Sequence, residues 1–341
     1  MFSSVLRLAL RGIAAAAACA IVMAAHAQVP VKFALDWRFE GPAAPYFVAI
    51  DKGYYKAEGL DVSIDSGSGS VEGINRVASG TYAFGFADIN SLVRFRDKPE
   101  NAKVTSVLMV YNAPAFSIVT LKKNAIRSPK DLEGKVLGAP AADGAFAQWA
   151  AFAQANKIDS SKVKIENVGF PVREPMLAQG KVQAITGFSF SSYMNLKAVG
   201  IPADEIVVML MRDFGLELYG NAVMVNPEFA AKNPQLVRGF VRATIKGWQD
   251  AAKDPAGAIK SLLKRNATAN EAVEVERLKL ALQGNVLTTE VTASGFGGID
   301  PARMERAIDQ IAISYKFVNR PKAADVFTDA FLPPRAERNL N

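Results

Sequence analysis

Residues 60–87 read LDVSIDSGSGSVEGINRVASGTYAFGFA, and this stretch decides the fold class. Leu60, Val62 and Ile64 alternate with polar residues, the period of a strand with one buried face. Gly67-Ser68-Gly69-Ser70 punctuates the chain, and Val71 to Ser79 reads as a short helix stopped by Gly80. Tyr82 to Ala87 then returns as a nearly continuous apolar run. Strand, Gly-rich loop, helix and buried strand make an α/β unit, whose strands are expected to run parallel.

Working outward, the same grammar recurs. Val31 to Leu35 alternates as a strand ending at Asp36-Trp37, and Tyr46 to Ala57 reads as a helix interrupted near Gly53. Val104 to Tyr111, Val136 to Ala139, Val163 to Val168, Gln183 to Gly187 and Ile206 to Met211 read as further strands. Helices are expected at Ala145 to Asn156 and Arg173 to Gln179. The unit closing on Gly80 and Gly85-Phe86 is echoed by one closing on Gly180 and Gly187-Phe188. That echo predicts two similar α/β lobes facing each other across a cleft, because ligands of open sheets sit beyond the carboxyl ends of the strands. From Pro227 onward only helices are expected, at Asn233 to Asp250, Pro255 to Lys264, Asn270 to Leu282 and Pro301 to Tyr315. The tail after Phe331 reads as loose. The division is thus a leader over 1–27, a first lobe over 28–115 plus 221–341 that carries the helical C-terminal third, and a second lobe over 116–220.

The leader has Arg7 and Arg11, an Ala-rich apolar run from Gly12 to Ala25, and Ala25-His26-Ala27. This is the pattern of a secretory signal peptide, so Gln28 is the expected mature start. A lipid anchor on Cys19 is the weaker alternative, because Ile21, Val22 and Met23 extend the apolar run beyond it. Cys19 and His26 are the single Cys and the single His of all 341 residues. Past residue 27 the chain therefore offers no imidazole base, no thiolate nucleophile, no Ser–His–Asp triad and no zinc site built from His or Cys. Losing the leader lowers the formal net charge of +7 by two, and no long run of like charge remains. Composition thus argues against a nucleic-acid partner.

Candidate residues follow from position. Trp37, at a strand's carboxyl end before Gly41 and Pro42, is placed to stack on a flat ligand. Ser68, Gly69 and Ser70 precede a helix whose free N–H groups can hold polar ligand atoms. The spacing GxGxxxG is one residue off the dinucleotide fingerprint, with Asp88 near the distance of its ribose acid, but an exported chain has little access to nicotinamide cofactors and no Gly-Lys-Ser/Thr is present, so no cofactor is expected. Asp88 and Phe188 close the two echoed units, Asp143 opens a helix, and Glu217 and Tyr219 lie where the chain leaves the second sheet. Glu40 reads as a solvated loop acid. Nothing in the spacing of Asp36, Glu40, Asp88, Asp143 and Glu217 singles out an acid/base pair.

Leu35-Asp36-Trp37, the run from Ala49 to Val62 that includes Lys52-Gly53-Tyr54-Tyr55 and Gly59-Leu60-Asp61-Val62, Asp131 to Lys135, and Gly180 to Ala184 carry a resemblance. The chain resembles the periplasmic solute-binding proteins of ABC importers, in the branch of nitrate, sulfonate, taurine and thiamine-pyrimidine binders. The resemblance implies a two-domain Venus-flytrap fold, a periplasmic monomer, a small-molecule ligand, and an inner-membrane permease as partner. It also implies that Trp37 packs on a pyrimidine or related heterocycle. The family's Asn-rich stretch after the Trp is replaced here by Arg38-Phe39-Glu40-Gly41-Pro42. A sulfonate- or taurine-type anion, with Arg76 as its cation, is the alternative ligand. A thiamine-pyrimidine synthase is the alternative activity; that enzyme consumes its own His and needs a Cys-rich motif, and neither residue occurs past residue 27.

Overall fold

The computed structural model describes residues 28–340, so the leader, with Cys19 and His26, lies outside the described residues. The chain opens with β1 (Val29–Ala34), α1 (Ala44–Asp51), α2 (Tyr54–Ala57), β2 (Leu60–Asp65), α3 (Ser70–Ala78), β3 (Phe84–Asp88), α4 (Ile89–Arg96) and β4 (Thr105–Met109). It continues with β5 (Phe116–Leu121), β6 (Val136–Ala139), α5 (Trp149–Ala155), β7 (Lys164–Asn167), α6 (Arg173–Ala178), β8 (Ala184–Phe188), α7 (Ser189–Ala198) and β9 (Ile206–Leu210). After β10 (Asn221–Val225) come α8 (Pro227–Lys232), α9 (Pro234–Lys253), α10 (Pro255–Leu263), α11 (Glu271–Ala281), α12 (Thr289–Ser294), α13 (Pro301–Ser314) and α14 (Ala323–Val326).

The strands form two five-stranded sheets, ordered β2-β1-β3-β10-β4 and β7-β6-β8-β5-β9. In each, three parallel strands from βαβ units meet one antiparallel strand, which pairs on its far side with the last strand. One order thus serves both sheets, as the internal echo predicts. The expectation of parallel sheets is corrected, because β5 and β10 turn both sheets mixed. These two strands, and helices α4 and α7, went unread in the sequence. β5 and β10 are buried along their whole length. They therefore lack the alternation that marks a half-buried strand.

Burial explains the pairing elsewhere. Val31 and Phe33 of β1 sit opposite Val62 and Ile64 of β2, placing the alternating face of each strand against one core. That core is completed by α9, whose Phe240 stacks 3.8 Å from Phe84 and whose Trp248 meets Tyr46 edge-on at 5.8 Å. Polar caps start three of the later helices where expected: Asp254, Asn270 and Asp300 each accept a backbone N–H of the first turn, whereas Asn233 makes no side-chain cap bond, and α8 and α12, capped by Asn226 and Thr288, went unread in the sequence. The tail after Phe331 corrects the expectation of a loose end. Phe296 N–H donates to Arg338 O at 2.8 Å, the Arg338 guanidinium donates to Phe296 O and Pro333 O, and Leu340 is buried.

The chain passes between the sheets twice, at residues 110–115 and 211–220. The passages touch: Val110 and Tyr111 both donate to Asn221 O, at 3.1 and 2.9 Å, and Gly220 N–H donates to Tyr111 O at 2.9 Å. A side chain at Gly220 would fall 2.8 Å from Tyr111 Cβ, so only glycine permits this approach.

Candidate functional site

A cavity of about 660 Å³, counting its open mouth, lies where the carboxyl ends of β1 and β3 face those of β6 and β8. Trp37 lies just past β1, after Leu35 and Asp36, and its ring meets Phe170 edge-on at 4.7 Å. The guanidinium groups of Arg38 and Arg173 lie 5.5 and 6.0 Å from the indole. Deeper in, Tyr111 makes edge contacts with Phe86 and Phe190 at 5.3 and 5.8 Å, and Phe188 lies 6.1 Å from Phe190. The result is an apolar chamber with polar groups at fixed points.

Three carboxyl groups line it: Asp36, Glu40 and Asp143. Glu40 accepts from Ser191 Oγ at 3.0 Å and lies 3.3 Å from the Arg277 guanidinium. Burial pushes its pKa up, against the pull of Arg277. The indole Nε1 of Trp37 makes no hydrogen bond of good geometry, yet it lies close enough to Glu40 to favour the ionised carboxylate. Asp143 accepts from Thr186 Oγ1 at 2.9 Å and from Ala145 N–H at 3.2 Å, with Arg173 3.9 Å away. Burial raises its pKa too, and Arg173 opposes the rise. Arg173 is 2% exposed and its Nε and Nη2 both donate to Glu174, at 2.9 and 2.6 Å. Asp36 accepts on Oδ2 from Asn221 Nδ2 at 2.6 Å and from Ser70 Oγ at 3.0 Å. Burial outweighs those bonds and lifts its pKa from 3.8 to about 7.

Of the residues expected from sequence, Trp37, Gly69, Ser70, Asp143 and Phe188 come together on this cavity. Gly69 has φ of +110°, and a Cβ there would fall 2.6 Å from Ala142 O in the loop after β6, so the two walls close to contact only over glycine. Four others are placed elsewhere. Ser68 is exposed, its N–H donating to Glu72 at 2.7 Å. Asp88 is fully buried behind the wall as the cap of α4, accepting Asn90 N–H at 3.0 Å and Ser91 N–H at 2.8 Å. Glu217 is exposed and pairs with Arg306 at 3.6 Å. Tyr219 is buried at the chain crossing, donating to Glu290 at 2.7 Å under the Arg303 guanidinium. Arg76, the cation of the anion alternative, is paired with Glu72 and bonded to Ser66 O, away from the cavity.

Sequence reasoning passed over Phe170, Arg173, Tyr111 and Phe190, and read Glu40 as solvated. The internal echo held a usable signal for two of them: Gly169 to Arg173 precedes α6 as Gly67 to Ser70 precedes α3, so it occupies the matching loop of the second sheet.

The family model described as "NMT1/THI5 like" matches residues 42–258. The chain belongs to this family. It is 28% identical over 214 residues to the riboflavin-binding protein RibY of Chloroflexus aurantiacus, covering 62% of this chain and 59% of that protein. It is 27% identical over 309 residues to the formylaminopyrimidine-binding protein of Halalkalibacterium halodurans, covering 88% and 89%. A 4-amino-5-hydroxymethyl-2-methylpyrimidine phosphate synthase of Schizosaccharomyces pombe is 24% identical over 242 residues, covering 68% of each chain. Among solved structures, the alkanesulfonate-binding protein SsuA from Xanthomonas axonopodis superposes with a TM-score of 0.66 at 16% identity, covering 88% of this chain and 98% of that one. The periplasmic nitrate-binding protein NrtA of Synechocystis superposes with a TM-score of 0.68 at 11% identity, covering 92% and 91%. The fold is that of the periplasmic binding proteins. Among the described residues no helix is long and apolar enough to cross a membrane.

Proposed function

We propose that the chain is the substrate-binding component of an ABC importer, working in the periplasm and handing a small aromatic nitrogen heterocycle, a pyrimidine of the thiamine-precursor type, to a membrane permease. The observation that carries this reading is the aromatic-lined cavity shared by the facing carboxyl ends of two like-ordered sheets. Each wall supplies rings for the flat faces of such a ligand, and Asp36, Glu40, Asp143 and Arg173 supply the few polar contacts that orient it. We divide the molecule into a first lobe over 28–115 plus 221–341 and a second over 116–220, so that closure on the ligand brings the two walls together. The task is capture and release, with no bond made or broken. Past residue 27 the chain has no His or Cys with which to follow the synthases among its relatives.

A micromolar ligand requires about 8 kcal/mol, which stacking and a handful of hydrogen bonds in a closed cavity supply. The sulfonate alternative is weaker on electrostatic grounds. The buried cation of the cavity, Arg173, is already engaged by Glu174 and faces Asp143, so an added anion meets two carboxylates beside its one guanidinium.

The test is a thermal-shift panel of 4-amino-5-hydroxymethyl-2-methylpyrimidine, riboflavin and taurine. A ligand at one hundred times its Kd stabilises the folded protein by about 2.7 kcal/mol. A shift with the pyrimidine is the expected result. A shift with taurine alone would replace the heterocycle by an anion, and a shift with riboflavin alone would enlarge the ring system.

A further inference from the structure

Two of the three carboxyl groups on the cavity have a cation within 4 Å: Glu40 has Arg277 and Asp143 has Arg173. Asp36 has none among the described residues, although it is 7% exposed and lines the chamber. Its Oδ2 is filled by Asn221 and Ser70, while no other residue's side chain donates to Oδ1 among the described residues. The neighbouring titratable groups add no balancing charge. Asp88 at the head of α4 is itself an acid, and Tyr46 and Tyr111 hold their protons because burial pushes both hydroxyls well above their usual pKa. Arg38 stands exposed over Trp37 at the mouth, and Arg173 is engaged by Glu174 on the opposite wall. Besides Asn221 and Ser70, only Asp36's own backbone N–H reaches the carboxyl, and a buried carboxyl without a cation is expensive unless a proton or a further donor meets it.

Building on the reading of the cavity as a heterocycle site, we propose that Asp36 is its specificity determinant: Oδ1 shares one proton with a weakly basic ring nitrogen of the ligand. Written as acid and base or as carboxylate and ring cation, the pair holds the same single proton, in one charge-assisted hydrogen bond. The ligand class is therefore narrower than a flat aromatic. It needs an unsubstituted, basic ring nitrogen on the edge turned to the cavity floor, beside the rings that hold its faces.

The sharing makes binding proton-linked with a definite sign. In the empty protein Asp36 gives up its proton at about pH 7. Above that pH a neutral ligand binds only with uptake of a proton, so Kd rises toward tenfold per pH unit. Glu40 and Asp143 face the same chamber, and the Asp36→Asn variant separates their titration from that of Asp36.

The experiment is calorimetric titration of the purified protein and of Asp36→Asn with 4-amino-5-hydroxymethyl-2-methylpyrimidine from pH 6 to 9. It is paired with 2-amino-4-methylbenzyl alcohol, which has the same outline with ring carbons in place of both ring nitrogens. The expected result is a Kd that climbs above about pH 7 in the parent, a flat and weaker profile in Asp36→Asn, and at least a tenfold preference for the pyrimidine in the parent. A flat parent profile, or equal affinity for the carbocycle, overturns the assignment while leaving a heterocycle-binding protein in place. If neither compound binds but taurine does, the underlying reading falls, and the assignment with it. The parent profile and the carbocycle require no variant, so a poorly folded Asp36→Asn does not block the decision.

Discussion

Trp37 meets the cavity with one ring edge against Phe170 and two guanidinium groups nearby, and it is only partly buried. Replacing it with Ala should weaken pyrimidine binding about 10- to 100-fold, as loss of a central aromatic anchor does. The melting temperature of the ligand-free protein should stay nearly unchanged; a large drop would identify the indole as core. Asp36 behaves oppositely, since its environment affects folding itself. In the unfolded chain this carboxyl loses its proton near 3.8, and in the folded chain near 7. Between those values the native state holds the extra proton, so this group's contribution to stability declines as pH rises. Melting curves from pH 4 to 7 should therefore show a steeper loss for the parent than for Asp36→Asn. At this scale the sequence was legible where a side chain's place follows from the end of a strand, as Trp37 reaches the cavity after β1. It was illegible where a partner returns from far away: Arg277, which takes Glu40 out of solvent, is more than two hundred residues distant.

That return belongs to an element, α11. Arg277 donates to Ser191 O at 3.2 Å and to Asn195 Oδ1 at 3.2 Å on α7, and it holds Glu40 and Glu274. Glu274 in turn accepts Gly41 N–H at 2.5 Å, fixing the loop that follows Trp37. The helix thereby ties the loop after β1 to the first turn of α7 beside the cavity. Arg277→Ala leaves two buried carboxylates without their cation and should destabilise the protein by about 3–5 kcal/mol in urea unfolding. Arg277→Met with Glu274→Gln should recover part of that loss, and failure to recover any would mean the arginine acts through packing alone. Elements with alternating or helical periodicity were readable nearly to the residue, as β2 and α10 were. β5 and β10 were not, because complete burial removes the periodic signal and their partners are distant strands. The misplacement of Glu217 and Tyr219 follows directly: without β10 in view, the segment leaving the second sheet appears to end at the cleft, whereas it runs beneath α13 into the chain crossing.

Across the whole molecule, the two sheets share one apolar cluster in addition to the largely separate clusters each has of its own. One apolar cluster runs from Ile74 and Ala87 beside the first sheet to Ile118 and Leu137 of the second, and Ile308 and Ile311 of α13 belong to it. α13 packs against both α4 and α5, so the C-terminal helices brace the two halves together. Urea unfolding followed by far-ultraviolet circular dichroism and by tryptophan fluorescence should accordingly give coincident single transitions. Two separated transitions would show that the shared cluster does not couple the halves. Asn221 sits at the centre of this arrangement: its carbonyl receives the N–H groups of both Val110 and Tyr111, and its amide holds the Asp36 carboxylate. In the lobe closure proposed above, Asn221 would couple a ligand's fit against Asp36 to the two chain segments that cross between the sheets.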